Sequence, residues 1–153
     1  MQRALKKGIV QIIFRGFFMS IYVLDIPLKP VPWAAHKGFG KRAYNPRYKE
    51  KKAFQSIIST QWEGEPINCE VELQFLFYLP YPKSWSKKKK ERESPIRRPD
   101  CSNMIKAVED FLKGIVIIDD SIVTSIIAKK LYAEVPRTIV TIITKEDKSW
   151  IKP

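Results

Sequence analysis

Histidine and cysteine are nearly absent from this chain: one histidine, His36, and two cysteines, Cys69 and Cys101, in 153 residues. That excludes zinc sites built from His and Cys, so any metal must be held by oxygen ligands. The two thiols fit neither a metal knuckle nor a disulfide framework and read as reduced thiols of a cytoplasmic protein. Acidic residues are also scarce, 16 against 28 Lys and Arg, and the net charge of +12 asks for a polyanionic partner, nucleic acid ahead of an anionic membrane surface. A long apolar run is missing as well. The opening MQRALKKGIVQIIFRGFFMS is basic and apolar, but Gln11 and Arg15 break it well short of a membrane span, and no small-residue cleavage site follows. Among a surface amphipathic segment, a frayed helix and an upstream extension, the extension is favoured: residues 1–18 precede one domain over 19–153, with no membrane partner.

What is present alternates strand and helix signals. SIYVLDI, stopped by Pro27, reads as a strand. A proline-rich loop follows, with Lys37, Lys41, Arg42 and Arg47 interleaved with Trp33, Phe39, Tyr44 and Tyr48, a mixture suited to phosphates and splayed bases as well as to a solvated loop packed on its aromatics. GFGK lacks the spacing of a phosphate loop. Asn45-Pro46 starts a helix whose apolar positions are Phe54, Ile57, Ile58 and Trp62, ended near Gly64 and Pro66. From Ile67 to Leu79 odd positions are apolar, the pattern of a strand buried on one face and, at Leu76 and Tyr78, on both. Residues 81–99 hold eight Lys and Arg (Lys83, Lys87, Lys88, Lys89, Lys90, Arg92, Arg97, Arg98) against two Glu, 8 − 2 = +6, half the charge of the chain. Such density repels itself and predicts a mobile loop able to grip a phosphate backbone.

The run from Arg97 to Ser121, RRPDCSNMIKAVEDFLKGIVIIDDS, concentrates the chemistry. Asp100 or Ser102 can cap a helix with core face Ile105, Val108, Phe111 and Leu112, ended at Gly114. Asn103, Lys106 and Asp110 form a polar stripe on it, and Lys106, near the helix start, opposes the helix dipole unless an anion or carboxylates are close. An apolar strand, IVII, then delivers Asp119 and Asp120. Adjacent carboxylates repel unless a cation lies between them, and a tight turn there would favour Asn-Gly or Asp-Gly. The expectation is that Asp100 and the pair Asp119 and Asp120 converge on one divalent cation. Two further strands, containing SIVTSIIAKKLYA and RTIVTIIT, complete the sheet, and Lys129 and Lys130 stand on opposite faces so that one can reach the same site.

Residues 99–142, PDCSNMIKAVEDFLKGIVIIDDSIVTSIIAKKLYAEVPRTIVTI, resemble the signature region of the RusA family of Holliday-junction resolvases, and the likeness extends over about Met19 to Thr144 through the YNP helix entry and FYLPYPKSWSKKKK. The family pattern is Pro-Asp-x-Asp-Asn-x-x-Lys, a helical aspartate, then Asp-Asp; Asp100, Asn103, Lys106, Asp110, Asp119 and Asp120 occupy matching positions, while Ser102 replaces the second aspartate. The resemblance implies an α+β single domain, a mixed β-sheet packed with two main helices, acting as a homodimer on branched DNA. It also implies metal-assisted phosphodiester hydrolysis in which Asp100 and Asp120 hold Mg²⁺ (Mn²⁺ substituting), Asp119 shares it, Lys106 neutralises phosphate charge, and Ser102, Asn103 and Asp110 support the site. The missing carboxylate at Ser102 implies weaker metal affinity. The alternative is a branched-DNA-binding protein of the same fold with impaired catalysis.

Overall fold

The structure is a computed structural model that describes residues 9–14 and 17–147. Strand β1, Ile9–Phe14, pairs antiparallel with β2, Phe17–Ile26. Helix α1, Tyr48–Gln61, precedes β3, Val71–Pro80. The short helix α2, Lys87–Arg92, and α3, Cys101–Leu112, precede β4, Val123–Ala133, and β5, Arg137–Asp147. The sheet order is β1-β2-β5-β3-β4, with β3 and β4 parallel and the other pairs antiparallel. This is the single-domain α+β arrangement, a mixed sheet with two main helices, that the resemblance implied. Residues 9–14 of the segment read as an extension carry β1, and residues 1–8 lie outside the described residues.

The alternation from Ile67 to Leu79 determines the core. Val71, Leu73, Phe75, Phe77 and Leu79 are buried on one face of β3, and their neighbours, Leu76 and Tyr78 included, are half-buried. The amphipathic faces of α1 (Phe54, Ile58) and α3 (Met104, Ala107, Val108, Phe111, Leu112) join the same cluster, the Phe54 and Phe111 rings 5.1 Å apart. The cap expected at Asn45 is displaced: its Oδ1 accepts from the Arg47 amide at 2.8 Å in a turn before the helix, and α1 begins at Tyr48 with Arg47 at the N-cap and no side-chain capping bond. At the other end the Gln61 side chain pairs both ways with the Asp25 backbone, accepting at 2.9 Å and donating at 2.7 Å, which fastens α1 to β2.

Three expectations are corrected. The IVII run is a turn rather than a strand: Gly114 takes φ of 79°, its amide donates to the Ile117 carbonyl, and Val116 and Ile117 are buried. The turn is held by Ile67, whose amide donates to Val116 and whose carbonyl accepts from Ile118. A short unbroken apolar run carries no period, so burial in a turn and burial in a strand look alike in sequence. Second, the strand that follows the aspartate pair, β4, has no IVII strand as its partner and runs parallel to β3. Third, the basic stretch is not all loop. Ser86 Oγ accepts from the Lys89 amide to start α2; Trp85 packs edge-on against Tyr132, and Lys89 sits over Trp85. Lys90 pairs with Glu134 at 2.9 Å, offsetting part of the repulsion.

Phe75 is 1% exposed at the centre of β3, so Phe75→Ala should lower unfolding free energy by about 3–5 kcal/mol. Ile127→Ala, on a side chain 56% exposed, should change it by less than about 0.5 kcal/mol. Denaturant midpoints of the two variants check the pair; equal losses would contradict this core.

Candidate active site

Asp100 occupies the N-cap of α3 with extended backbone, yet its carboxylate makes no capping hydrogen bond; only its carbonyl is used, accepting from the Met104 amide at 3.2 Å. It lines a cleft of about 440 Å³ with Lys29, Trp33, Arg98, Pro99 and Asn103. The segment leading into the helix is held from below by Lys130, whose ammonium donates to the carbonyls of Arg97 (2.9 Å) and Pro99 (3.0 Å). Lys130 is therefore the lysine of the pair that reaches this region, and Lys129 is exposed. On the helix, Ser102 and Asn103 are exposed, the Asn103 carbonyl accepts from the Trp33 amide at 2.8 Å, and Lys106 Nζ lies 3.8 Å from the Trp33 ring centroid. Beside Asp100 the half-buried Cys101 thiol is free and is held above its usual pKa by burial.

The aspartate pair is built differently. Asp119 precedes a 3-10 turn, Asp120–Ile122, and its side chain accepts from the Ser121 amide at 3.0 Å. Lys113, the residue that ends α3, places its ammonium 2.6 Å from Asp119 and 3.5 Å from Asp120. That contact, with the Ser121 amide, holds the Asp119 carboxyl far below the ordinary carboxylate range, and the two aspartates raise the Lys113 ammonium. Lys113 thus sets an ammonium against both acids at a helix C-terminus, where the dipole favours a cation. Nearby Glu109 has its carboxyl raised, chiefly by burial and then by the charge of Asp120. Asp110 pairs with Lys51 of α1 at 3.1 Å, tying the two main helices together.

Within one chain these two acid groups do not converge. Asp100 stands at the start of α3 and Lys113, with the pair, at its end, roughly 18 Å away at 1.5 Å per residue over 12 residues. Strand β4 says the same: it begins beside Asp120, whereas Lys130, which touches the Asp100 segment, lies about 23 Å further along at 3.3 Å per residue. Among the described residues no group of three potential His, Cys, Asp or Glu ligands comes together. The expected convergence fails for one chain because an intervening rigid helix, rather than a flexible loop, separates the acids.

The family model described as Endodeoxyribonuclease RusA matches residues 27–143. The chain belongs to the RusA endodeoxyribonuclease family. A curated relative, "Uncharacterized protein YqaN" of Bacillus subtilis (strain 168), is 33% identical over 99 residues, covering 60% of this chain and 70% of the relative. Membership carries the nuclease class read from the sequence. In this RusA-family chain no helix among the described residues is long and apolar enough to cross a membrane.

The basic residues divide by what they touch. Lys83, Arg97 and Arg98 line a second cleft of about 370 Å³ with Lys29, Tyr81, Pro99 and Tyr132, so the 97–99 segment stands between the two clefts and Arg98 and Lys29 border both. Lys87, Lys88, Lys89 and Arg92 are exposed on or beside α2, and Lys90 is held over Tyr81 and against Glu134. Lys41 is exposed in a short turn, Gly40–Arg42, while the side chain of Arg42 lies outside the described residues. Sequence reading missed Lys29, Lys113 and Glu109. For Lys113 a signal existed, a lysine just before the helix-ending Gly114; for Lys29 none did, because its position depends on how the proline-rich loop folds back.

Because the folded state raises the Glu109 carboxyl, its contribution is favourable below the unfolded glutamate value of about 4.3 and is lost as pH rises through the folded value. Glu109→Gln should therefore melt higher than the parent at pH 7, with the difference closing near pH 4. Thermal unfolding across that range checks it, and a difference that grows toward low pH would contradict the assigned environment.

Proposed function

We propose that this protein is a structure-specific endodeoxyribonuclease that resolves four-way DNA junctions by paired nicking, working as a cytoplasmic homodimer in recombination and repair with Mg²⁺, for which Mn²⁺ substitutes. The observation that carries the reading is Asp100: a carboxylate at a helix N-cap, unused for capping, in a cleft bordered by Lys29 and Arg98. Cations beside the acid let a phosphodiester approach a carboxylate that would otherwise repel it. Asp100, Asp119 and Asp120 are the proposed ligands. Since one chain keeps the two groups a helix length apart, a shared ion needs the Asp100 end of one copy beside the aspartate pair of a second. Magnesium commonly binds through one or two carboxylates and keeps its waters, so Ser102 weakens the set without abolishing it.

When bound, the ion supplies activation of water and stabilisation of charge on the phosphate. The chain's own residues do the rest. Lys106 offers its ammonium to the phosphate oxygens, Asn103 orients its neighbours, and Asp110, through Lys51, keeps α3 fixed on α1. Lys83, Lys87, Lys88, Lys89, Lys90, Arg92, Arg97 and Arg98, with Lys41 and Arg42 across the proline-rich loop, grip backbone phosphates without reading sequence. Two sites related by a two-fold axis suit a substrate of the same symmetry. A second reading, branched-DNA binding without hydrolysis, is favoured by Ser102 and by the lack of a three-ligand group among the described residues.

Incubation with a four-way junction and Mg²⁺ or Mn²⁺ tests both. The parent should nick symmetrically, and Asp100→Asn and Asp120→Asn should each abolish nicking while retaining binding. Mixing the two inactive variants should restore nicking, because mixed dimers rebuild one intact site from two chains. Restoration absent from the mixture would refute the shared site; junction binding without nicking by the parent would favour the second reading. Ser102→Asp should lower the Mg²⁺ concentration needed for half-maximal nicking.

A further inference from the structure

Most lysines near the acids of this protein are neutralised or tied down. Lys113 pairs with Asp119 and Asp120, Lys51 with Asp110, Lys90 with Glu134, and Lys130 is held by two carbonyls. Lys106 differs. No ion pair among the described residues includes it; its ammonium rests on the indole of Trp33, 3.8 Å from the ring centroid. Trp33 comes from the proline-rich loop, and its amide donates to the Asn103 carbonyl at 2.8 Å, so the loop is pinned to the first turn of the helix that carries Lys106. Asp100, Asn103 and Lys106 recur every three residues along α3, and Trp33, Asp100 and Asn103 line the same cleft.

We propose that Trp33 is a positioning residue for the nuclease reaction: its ring seats Lys106 at the edge of the cleft while leaving its charge unspent. This rests on the nuclease reading above. The negative face of an indole attracts an ammonium without cancelling its charge. A carboxylate partner would neutralise Lys106, and a phosphate would then have to displace it. On the ring the ammonium keeps its donors free on the side away from the indole, so a phosphate entering beside Asp100 can recruit it without breaking a salt bridge.

The test uses the full chain, a four-way junction and Mg²⁺, with a Trp33 series: Phe, Leu, and a multiply fluorinated tryptophan introduced at position 33, which keeps the shape of the ring and removes its negative face. Trp33→Phe should stay close to the parent, whereas Trp33→Leu and the fluorinated residue should lower kcat by about tenfold, the factor expected for loss of one such contact, with KM little changed. In a Lys106→Gln background the same replacements should cost nothing further. Independently of activity, ¹³C-lysine spectra should contain one side-chain resonance shifted by ring current, absent in Lys106→Gln, collapsed in Trp33→Leu and retained in Trp33→Phe. A fluorinated residue as active as tryptophan, an equal loss without Lys106, or no shifted resonance would overturn the assignment. A parent that leaves the junction intact overturns the nuclease reading instead, and the lysine resonance still decides the contact.

Discussion

The seating of α3 on the sheet is the constraint on which the rest of this molecule depends. Five of its twelve residues, Met104, Ala107, Val108, Phe111 and Leu112, are buried in the core that the helix shares with α1 and the sheet, and the Lys51–Asp110 pair ties it to α1 from the outside. A helix seated this firmly acts as a rigid spacer. It carries Asp100 at one end and Lys113 at the other, so the distance between the two acid groups is set by core packing and not by attraction to a metal. On the proposed reading, an ion shared by these groups is held by ends of two different chains.

Electrostatics is arranged locally within a strongly basic chain. The acid pair is compensated by Lys113 and an amide, whereas Asp100 is left without a capping contact among cations. The difference has a physical cause. Asp119 and Asp120 are adjacent, and their mutual repulsion in the folded state demands a nearby positive charge, while a single carboxylate at a helix N-terminus is already favoured by the dipole. On the basic surface the rings of Trp33 and Trp85 hold Lys106 and Lys89, which orders long side chains without cancelling their charge, while Lys90, over Tyr81, is also paired with Glu134.

Much of this was legible in the chain because burial alternation survives in sequence. The apolar odd positions from Val71 to Leu79 identified β3 and its inward face, and the spacing of Val108, Phe111 and Leu112 identified the face of α3. The signature of aspartates, Asn103 and Lys106 identified the family, which the match over residues 27–143 bears out. Where the pattern had no period, reading failed: the apolar run 115–118 became a turn, and the charge-dense stretch 81–99 acquired a helix through one serine cap and one tryptophan anchor.

The sequence by itself determined the class of chemistry, since residue types and spacing specify which groups exist and what they can donate, accept or carry. Its two periods, 2 and 3.6, marked individual strands and helices, and the family resemblance implied the α+β architecture. Only the tertiary structure decided which of those groups meet. It put Lys113 between the aspartates, Trp33 under Lys106, Lys29 beside Asp100, and a full helix between the acids that had been expected to converge. The reason is that contacts between residues far apart in the chain depend on parallel or antiparallel pairing and on loop return, and neither leaves a local pattern in the sequence.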